Sequence, residues 1–336
     1  MLTTKILDRY DPTGMYKIYN VWPEISHTTY ENTTNRIDFK NIDHIVFAGM
    51  GGSGAIGELM SSILSKSNLH TSVVKGYLLP KTVDRNTLLV ATSISGFTVE
   101  TITILEKSSK VGCKIIAFSS GGKMEDYCTK NNLMHQRIVQ IHSPRASLPT
   151  AVYSLLAVLG SVLRIKESDV KESIQILYKT KTKISSENLS IKNPALSLAS
   201  WIEKIPIIYY PHGLHAAAVR FKNSLQENGK IHAITEDVIE MCHNGIVSWE
   251  KPSQVQPILI RGKDDYIKTK ERWIILKRYF RLHRIDFREV SSVRGSILSK
   301  LMNLIYTLDY ASIYHAVINK TDPSPISSID YIKSKL

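Results

Sequence analysis

The chain is poor in cysteine, in acid and in long apolar runs. Its 336 residues include three cysteines, Cys113, Cys128 and Cys242. An odd, scattered set excludes a disulfide framework and offers no paired spacing for zinc. No apolar run approaches the ~20 residues that a bilayer-spanning helix needs. The opening MLTTKILDRYDPTGMYKIYN is polar and has no signal-peptide hydrophobic core. A soluble, cytoplasmic protein is expected. Acid is outnumbered, with 30 Asp plus Glu against 43 Lys plus Arg and a net charge of +13. That surplus favours anionic partners through long-range attraction. Nucleic acid, membrane surface and phosphorylated metabolites are all anions, so charge alone does not choose among them. The basic residues are spread out, in KSSKVGCK, YKTKTK, KTKERW and KRYFRLHR, and rarely interleave with aromatics. This is the pattern of solvated helix faces.

What is present is an alternation. HIVFAG, TSVVKGY, NTLLVATS and KIIAFSS read as strands. AIGELMSSILSKS, TVETITILEKSSKVG and ASLPTAVYSLLAVLGSVL read as helices between and after them. Apolar strands alternating with helices predict a parallel sheet covered on both faces. RIVQIHS (137–143) reads as a further strand. Residues 166–193 are rich in Ser and charge and are expected to be a helical linker, closed by Pro194. A second series follows, with strands IPIIYY, QPILIRG and DFREVS. Its helices are HAAAVRFKNSLQENGK, YIKTKERWIILKRYFRLH and SILSKLMNLIYTLDYASIYHAVI, and a short helix ends the chain. The fold class is therefore α/β, with two domains, each a mostly parallel sheet flanked by helices. The expected boundaries are 1–165, with a helical lead-in, 166–193 for the linker, and 194–336.

Each series opens with a strand that runs through a glycine turn into a helix. In the first, HIVFAGMGGSGAIGELM fits G-x-G-x-x-G through Gly49, Gly51 and Gly54. Glycines there permit a sharp turn and close approach of a ligand, and the helix-start amides favour an anion. A dinucleotide site should carry an acid about 20 residues on, for the ribose hydroxyl. That region reads LHTSVVKGYLL, with Lys75 and no acid, which weighs against NAD. A tight packing turn without ligand is the plain alternative. The next strand ends in ATSISGFTVETI, which brings Ser93, Ser95, Gly96 and Thr98 to a helix start, followed by Glu100. Hydroxyls plus helix-start amides suit a phosphate dianion. Ser95 and Thr98 also serve simply as N-caps on the bland reading. Two such loops in one half favour phosphate binding, at Gly51, Gly52, Ser53, Ser93, Ser95 and Thr98.

GMGGSG followed by S-x-S-G-x-T-x-E-T resembles the sugar isomerase (SIS) domain. The similarity runs along nearly the whole chain: SPRASLP, RFKNSLQENGK, HNGIVSWE and DPSPISSIDYIKSKL also match, in order. Together they resemble the bifunctional phosphoglucose/phosphomannose isomerases, mostly archaeal, built of two SIS domains. The resemblance implies an isomerase of carbohydrate metabolism that uses no metal or other cofactor. It implies a homodimer with shared active sites, and a phosphosugar rather than nucleic acid or membrane as partner.

The resemblance puts Glu227 at the family's base position, carrying a proton between C1 and C2. By itself Glu227 sits at a helix end, where the dipole disfavours its charged form. His243 stands at the position of the ring-opening group, which the family supplies from the neighbouring subunit. An imidazole titrates near working pH and suits that task. Gly245 departs from the pattern, since the family usually has an acid there. Arg145, a permanent cation with a fixed fork of donors, is expected to stabilise the enediolate. Lys333 matches the family's active-site lysine, and Ser324 stands where DPTP is usual. His212 and His215 sit three apart, but no second ligand pair has metal-site spacing. Another SIS isomerase or deaminase, or a non-catalytic phosphosugar sensor, are the competing readings.

Overall fold

The computed structural model describes residues 2–335. Three helices come first, α1 (Thr4–Tyr10), α2 (Met15–Asn20) and α3 (Trp22–Asn32). The first series is β1 (His44–Ala48), α4 (Gly51–Leu64), β2 (His70–Val74), β3 (Thr87–Ser93), α5 (Val99–Val111), β4 (Lys114–Ser119), α6 (Gly122–Lys130), β5 (Met134–Arg137) and α7 (Leu148–Leu159). After α8 (Glu167–Ile184) and α9 (Pro194–Trp201), the second series runs β6 (Ile205–Tyr210), α10 (His215–Glu227), β7 (Ile234–Asp237), α11 (Val238–Met241), β8 (Val255–Arg261), α12 (Ile267–Leu282), β9 (Arg288–Ser291), α13 (Ile297–Ile318) and α14 (Ser327–Lys333). No described helix is long and apolar enough to cross a membrane.

The strands form two sheets, a five-stranded one in the order β2-β1-β3-β4-β5 and a four-stranded one in the order β7-β6-β8-β9. Every pairing is parallel. The α/β class with helix-flanked parallel sheets is thus the one the alternation predicts. β1 and β3 are buried along their whole length, as central strands covered on both faces must be. Val46 of β1, Leu89 and Ala91 of β3 and Ala117 of β4 pack with Ile104 and Leu105 of α5. In the second sheet Tyr209 and Leu259 pack with Trp273, Leu276 and Phe280 of α12.

RIVQIHS is not a strand. β5 ends at Arg137, paired with Ser119, where β4 also ends. Beyond that point one amide, Ile138 N–H, still bonds to the Ser119 carbonyl at 2.9 Å, and the ladder has no further partner. The segment 166–193 is largely helical, in α8.

The chain groups into two compact units. One holds residues 21–175 and 296–299, with the five-stranded sheet; the other holds 1–20, 176–295 and 300–336, with the four-stranded sheet. Residues 1–20, expected as a lead-in to the first domain, therefore group with the second sheet. The reason lies in α13. Tyr306, Tyr310 and Tyr314 recur every fourth position, so they share one face of the helix. All three are fully buried and must hydrogen-bond their hydroxyls. Tyr306 donates to the Tyr19 carbonyl at 2.6 Å and Tyr310 to the Tyr16 carbonyl at 3.1 Å. Tyr314 donates to the Ile184 carbonyl at 2.7 Å.

Candidate active site

In both sheets the first strand of the series has its successor on one side and the next strand on the other. The chain thus reverses direction between β1 and β3, and again between β6 and β8. Such switch points open a crevice beyond the carboxyl ends of the strands, where ligands of α/β proteins bind. Ala48 and Ala91 are register partners on adjacent strands, so the turn that leaves β1 starts beside the last two residues of β3, just before the β3 turn.

The β1 turn enters α4 through Gly51, whose φ of +53° is left-handed. Met50 is the N-cap and makes no side-chain capping bond. The first amides of a helix have no partner within it, so those of Gly51 and Gly52 point to the crevice edge. Ser53 is buried, and its hydroxyl accepts from Ile94 N at 3.1 Å, tying this turn to the β3 loop.

The β3 loop is held from inside. Ser93 is fully buried; its hydroxyl donates to Thr98 Oγ1 at 2.9 Å and accepts from Gly96 N at 3.2 Å. Gly96 has φ +75°, and a Cβ there would lie 1.7 Å from the Gly121 carbonyl oxygen. No other residue fits. Thr98 is the N-cap of α5 but makes no side-chain capping bond, so the bland reading of it as a capping residue fails. Ser95 and Thr98 are both partly exposed, and the Ser95 hydroxyl meets Phe97 N at 3.4 Å. Glu100 lies in the first turn of α5. Lys75, the cation at the end of β2, is paired with Glu58 of α4 at 2.5 Å.

Arg145 follows in the loop before α7 and is buried, at 4% exposure. Its backbone backs onto the β1 turn: a Cβ on Gly52 would be 3.6 Å from Arg145 Cα. Ser147 fixes the loop, accepting from Ile141 N at 2.7 Å and donating to the Ser143 carbonyl at 2.8 Å. Trp22 Nε1 donates to the Ala146 carbonyl at 3.0 Å. The structure therefore gathers Gly51, Gly52, Ser53, Ser93, Ser95, Thr98 and Arg145 along one edge of the five-stranded sheet.

The remaining expected residues lie in the unit of the four-stranded sheet. Glu227 is the last residue of α10 and is half-buried. One face of α10 packs on α13. Arg220 makes a buried ion pair with Asp309, Nη2 to Oδ2 at 2.7 Å, and Ser224 donates to Asp309 Oδ1 at 2.7 Å. Burial opposes the Arg220 charge, but Asp309 outweighs it and holds the guanidinium firmly protonated. Just past Glu227, Asn228 donates to Ser312 Oγ at 2.9 Å, and a Cβ on Gly229 would lie 3.1 Å from the His315 ring. Lys230 Nζ donates to the Glu227 carbonyl and to Pro323 and Pro325 carbonyls. In the same loop Ser324 Oγ meets Thr13 Oγ1 at 2.6 Å.

His243 is exposed on the turn after α11, where Asp237 caps the helix by accepting from Ile239 N at 2.8 Å. Asn244 bonds Glu240 Oε1 at 3.0 Å. Gly245, the departure noted above, has a plain physical counterpart. A Cβ there would lie 2.7 Å from Glu236 Oε1, so the Glu236 carboxylate of β7 already fills the space of a side chain. Burial, and then the neighbouring Glu240, push the Glu236 carboxyl above its ordinary range. Lys333 ends α14 and is exposed, on a helix with no buried residue. The His215 ring lies tilted against Tyr210, with ring centroids 5.3 Å apart.

Several features went unnoticed in the sequence. Ser119-Ser120-Gly121-Gly122 forms a third turn at the same sheet edge, and its strand–Ser/Gly–helix pattern is the signal that marks it. Glu236, Lys230 and the Arg220–Asp309 pair gave no local signal.

A family model described as the bacterial phospho-glucose isomerase C-terminal SIS domain matches residues 191–336. A bifunctional phosphoglucose/phosphomannose isomerase of Caldicellulosiruptor bescii is 31% identical over 95% of this chain and 97% of its own length. The chain belongs to this isomerase family. A relative of the same name from Aquifex aeolicus is 30% identical over 87% of this chain and 90% of its own. Among solved structures, a hypothetical protein of Thermus thermophilus covers 98% of this chain and 92% of its own, with a TM-score of 0.74 at 15% identity. That likeness bears on the fold, which it supports across both halves.

Proposed function

We propose that the chain interconverts glucose 6-phosphate and mannose 6-phosphate with fructose 6-phosphate through a cis-enediol; its relatives are named phosphoglucose/phosphomannose isomerases. The observation that carries this reading is the pair of helix starts without side-chain caps, side by side beyond β1 and β3, with Arg145 behind Gly52. Backbone amides there, helped by the Ser95 and Thr98 hydroxyls, hold the phosphate dianion. Ser53 and Ser93, with hydroxyls already engaged, keep the two loops in register.

Glu227 takes the proton from one carbon and returns it to the other. His243 moves the proton that opens the ring, and Arg145 stabilises the enediolate. Lys333 assists the opened chain. Either aldose forms because C2 rotates in the open chain before reprotonation. The protein works as a cytoplasmic homodimer with His243 supplied by the neighbouring subunit, in glycolysis and gluconeogenesis.

The test is aldose formation from fructose 6-phosphate, with glucose 6-phosphate and mannose 6-phosphate assayed separately, with and without a chelator. Both products in the presence of chelator support the reading. Glu227→Gln should then lower turnover by about 10²–10⁴-fold with phosphosugar binding retained. Binding without turnover in the unaltered protein moves the reading to a phosphosugar sensor.

A further inference from the structure

We propose that Lys230 is a positioning residue for the isomerisation: its ammonium fastens the last turn of α10, which carries Glu227, to the loop at Asp322–Pro325. This rests on Glu227 as the proton carrier. A helix ends with four carbonyls that no amide of the helix can reach. At α10 one of these is the carbonyl of Glu227 itself, and it receives Lys230 Nζ. The same ammonium donates to the Pro325 carbonyl and, at 3.5 Å, to the Pro323 carbonyl. An ammonium has three donors, and here three main-chain carbonyls face it.

The backbone at Lys230 is built for this reach. Its φ is +56°, left-handed and uncommon for a residue with a side chain. That turn folds the side chain back under the end of its own helix. The loop it grips is itself fixed. Ser324 N donates to Asp322 Oδ1 at 2.9 Å, and Ser324 Oγ meets Thr13 Oγ1 at 2.6 Å. Asn228 and Gly229 rest on Ser312 and His315 of α13. The end of α10 is therefore held by two sets of contacts, those to α13 and those of Lys230. Without the ammonium, the Glu227 carbonyl and the two loop carbonyls lose their common donor, and the last turn frays on its loop side.

A base that shuttles a proton between adjacent carbons depends on position more than on binding. A shift of about 1 Å costs on the order of 10²-fold in rate. Which face of C2 meets the carboxylate depends on how the opened chain has rotated, so a displaced base alters which aldose forms first. Lys230 should thus act on kcat and on product ratio, and little on KM.

Lys230→Met and Lys230→Arg are compared with the unaltered protein, using fructose 6-phosphate. Lys230→Met is expected to lower kcat by about 10-fold or more, with KM changed less than about 3-fold, and to shift the initial ratio of glucose to mannose 6-phosphate. Lys230→Arg, which keeps a cationic donor, should bring the ratio back towards its original value. The ratio does not depend on how much of the sample is folded, so a merely structural role leaves it unmoved. If a single aldose forms, the kcat-against-KM split, normalised to folded protein, decides. Lys230→Met with unaltered kcat and ratio, or with activity lost only in proportion to folded protein, overturns the proposal. Glu227→Gln is assayed beside them. If it keeps full turnover, the base assignment fails whatever Lys230 does, whereas an inactive Glu227→Gln with an unaffected Lys230→Met removes this inference alone.

Discussion

The two sheets share a strand order at their switch points and differ in which end of a helix the candidate residues occupy. Beyond the five-stranded sheet they lie at the starts of α4 and α5, where amides are free to meet an anion. In the other unit Glu227 lies at the end of α10, and His243 follows α11. Helix starts favour negative charge and helix ends disfavour it. On the proposed reading, one series holds the phosphate at helix starts and the other presents the Glu227 carboxylate from a helix end. The same architecture yields both by moving the side chains along the helix rather than by changing the fold. The means of support differ as well. The β3 loop is maintained by backbone geometry that glycine alone satisfies, while α10 is fastened to α13 by a buried charge pair two turns before its end.

The sharpest way to break this contrast is to remove the charge pair. Asp309→Ala takes the carboxylate away from the buried Arg220 guanidinium, and Ser224 and Tyr19 lose an acceptor. Truncating one member of a buried pair typically costs about 3–5 kcal/mol. Chemical denaturation should show that loss, and a change under 1 kcal/mol, on the order of an exposed pair, would mean that α10 is supported otherwise. Gly96→Ala comes next. The added methyl meets the Gly121 carbonyl oxygen, 1.7 Å from an ideal Cβ, at φ +75°. Overpacking costs about 1–3 kcal/mol and the strained backbone about 1–3 more. Phosphosugar affinity, measured by calorimetry, should fall with stability, since the displaced loop is the proposed phosphate cradle.

How much of this was legible in the sequence follows from where the forces act. The apolar strands HIVFA, TLLVATS and VQPILIR are central and carry their own signal. β5 (MHQR) and β7 (ITED) are short edge strands with mixed polar residues, and nothing in four such residues marks a strand. The glycine turns were readable because a sharp turn needs glycine locally. The grouping of residues 1–20 was not, because it rests on tyrosine hydroxyls of α13 reaching carbonyls 287 and 294 positions away. Arg220 and Asp309 read as ordinary surface charges of two helices. Only their juxtaposition makes them a buried pair. Glu236 likewise acquires meaning only beside Gly245, where it occupies the volume that position 245 leaves open.

Acid sharpens the comparison more gently. Burial holds His44 and His135 in one unit, and His315 in the other, below the ordinary imidazole value of about 6.5. At His44 the neighbouring His70 acts in the same direction, and at His135 Glu125 opposes it. Each unfolded chain then binds a proton that the folded one resists, so stability rises with pH across that window. Their contribution is complete above about pH 6.5 and falls as the pH drops through the folded values. Thermal unfolding between about pH 5 and 7 should show this slope. His315→Gln should flatten it partly, leaving the share of His44 and His135. A slope that is unchanged in His315→Gln would assign the whole effect to the unit of the five-stranded sheet.

The smallest effect is expected at the turn that looks most like the cradle but is not built like one. Gly213 lies between His212 and Leu214 in the 3-10 turn after β6, the counterpart in series of the turn after β1. A Cβ there meets nothing within 4 Å, and its φ is not left-handed. Gly213→Ala should therefore be neutral, or stabilise by up to about 1 kcal/mol through a stiffer unfolded chain. Turnover should be unaltered, because the added methyl enters open space. Set beside Gly96→Ala, the pair asks whether glycine at a switch point is required by the ligand or by the local backbone. Equal damage from both substitutions would mean that the turn after β6 also holds an anion, and the division of labour between the two sheets would fall.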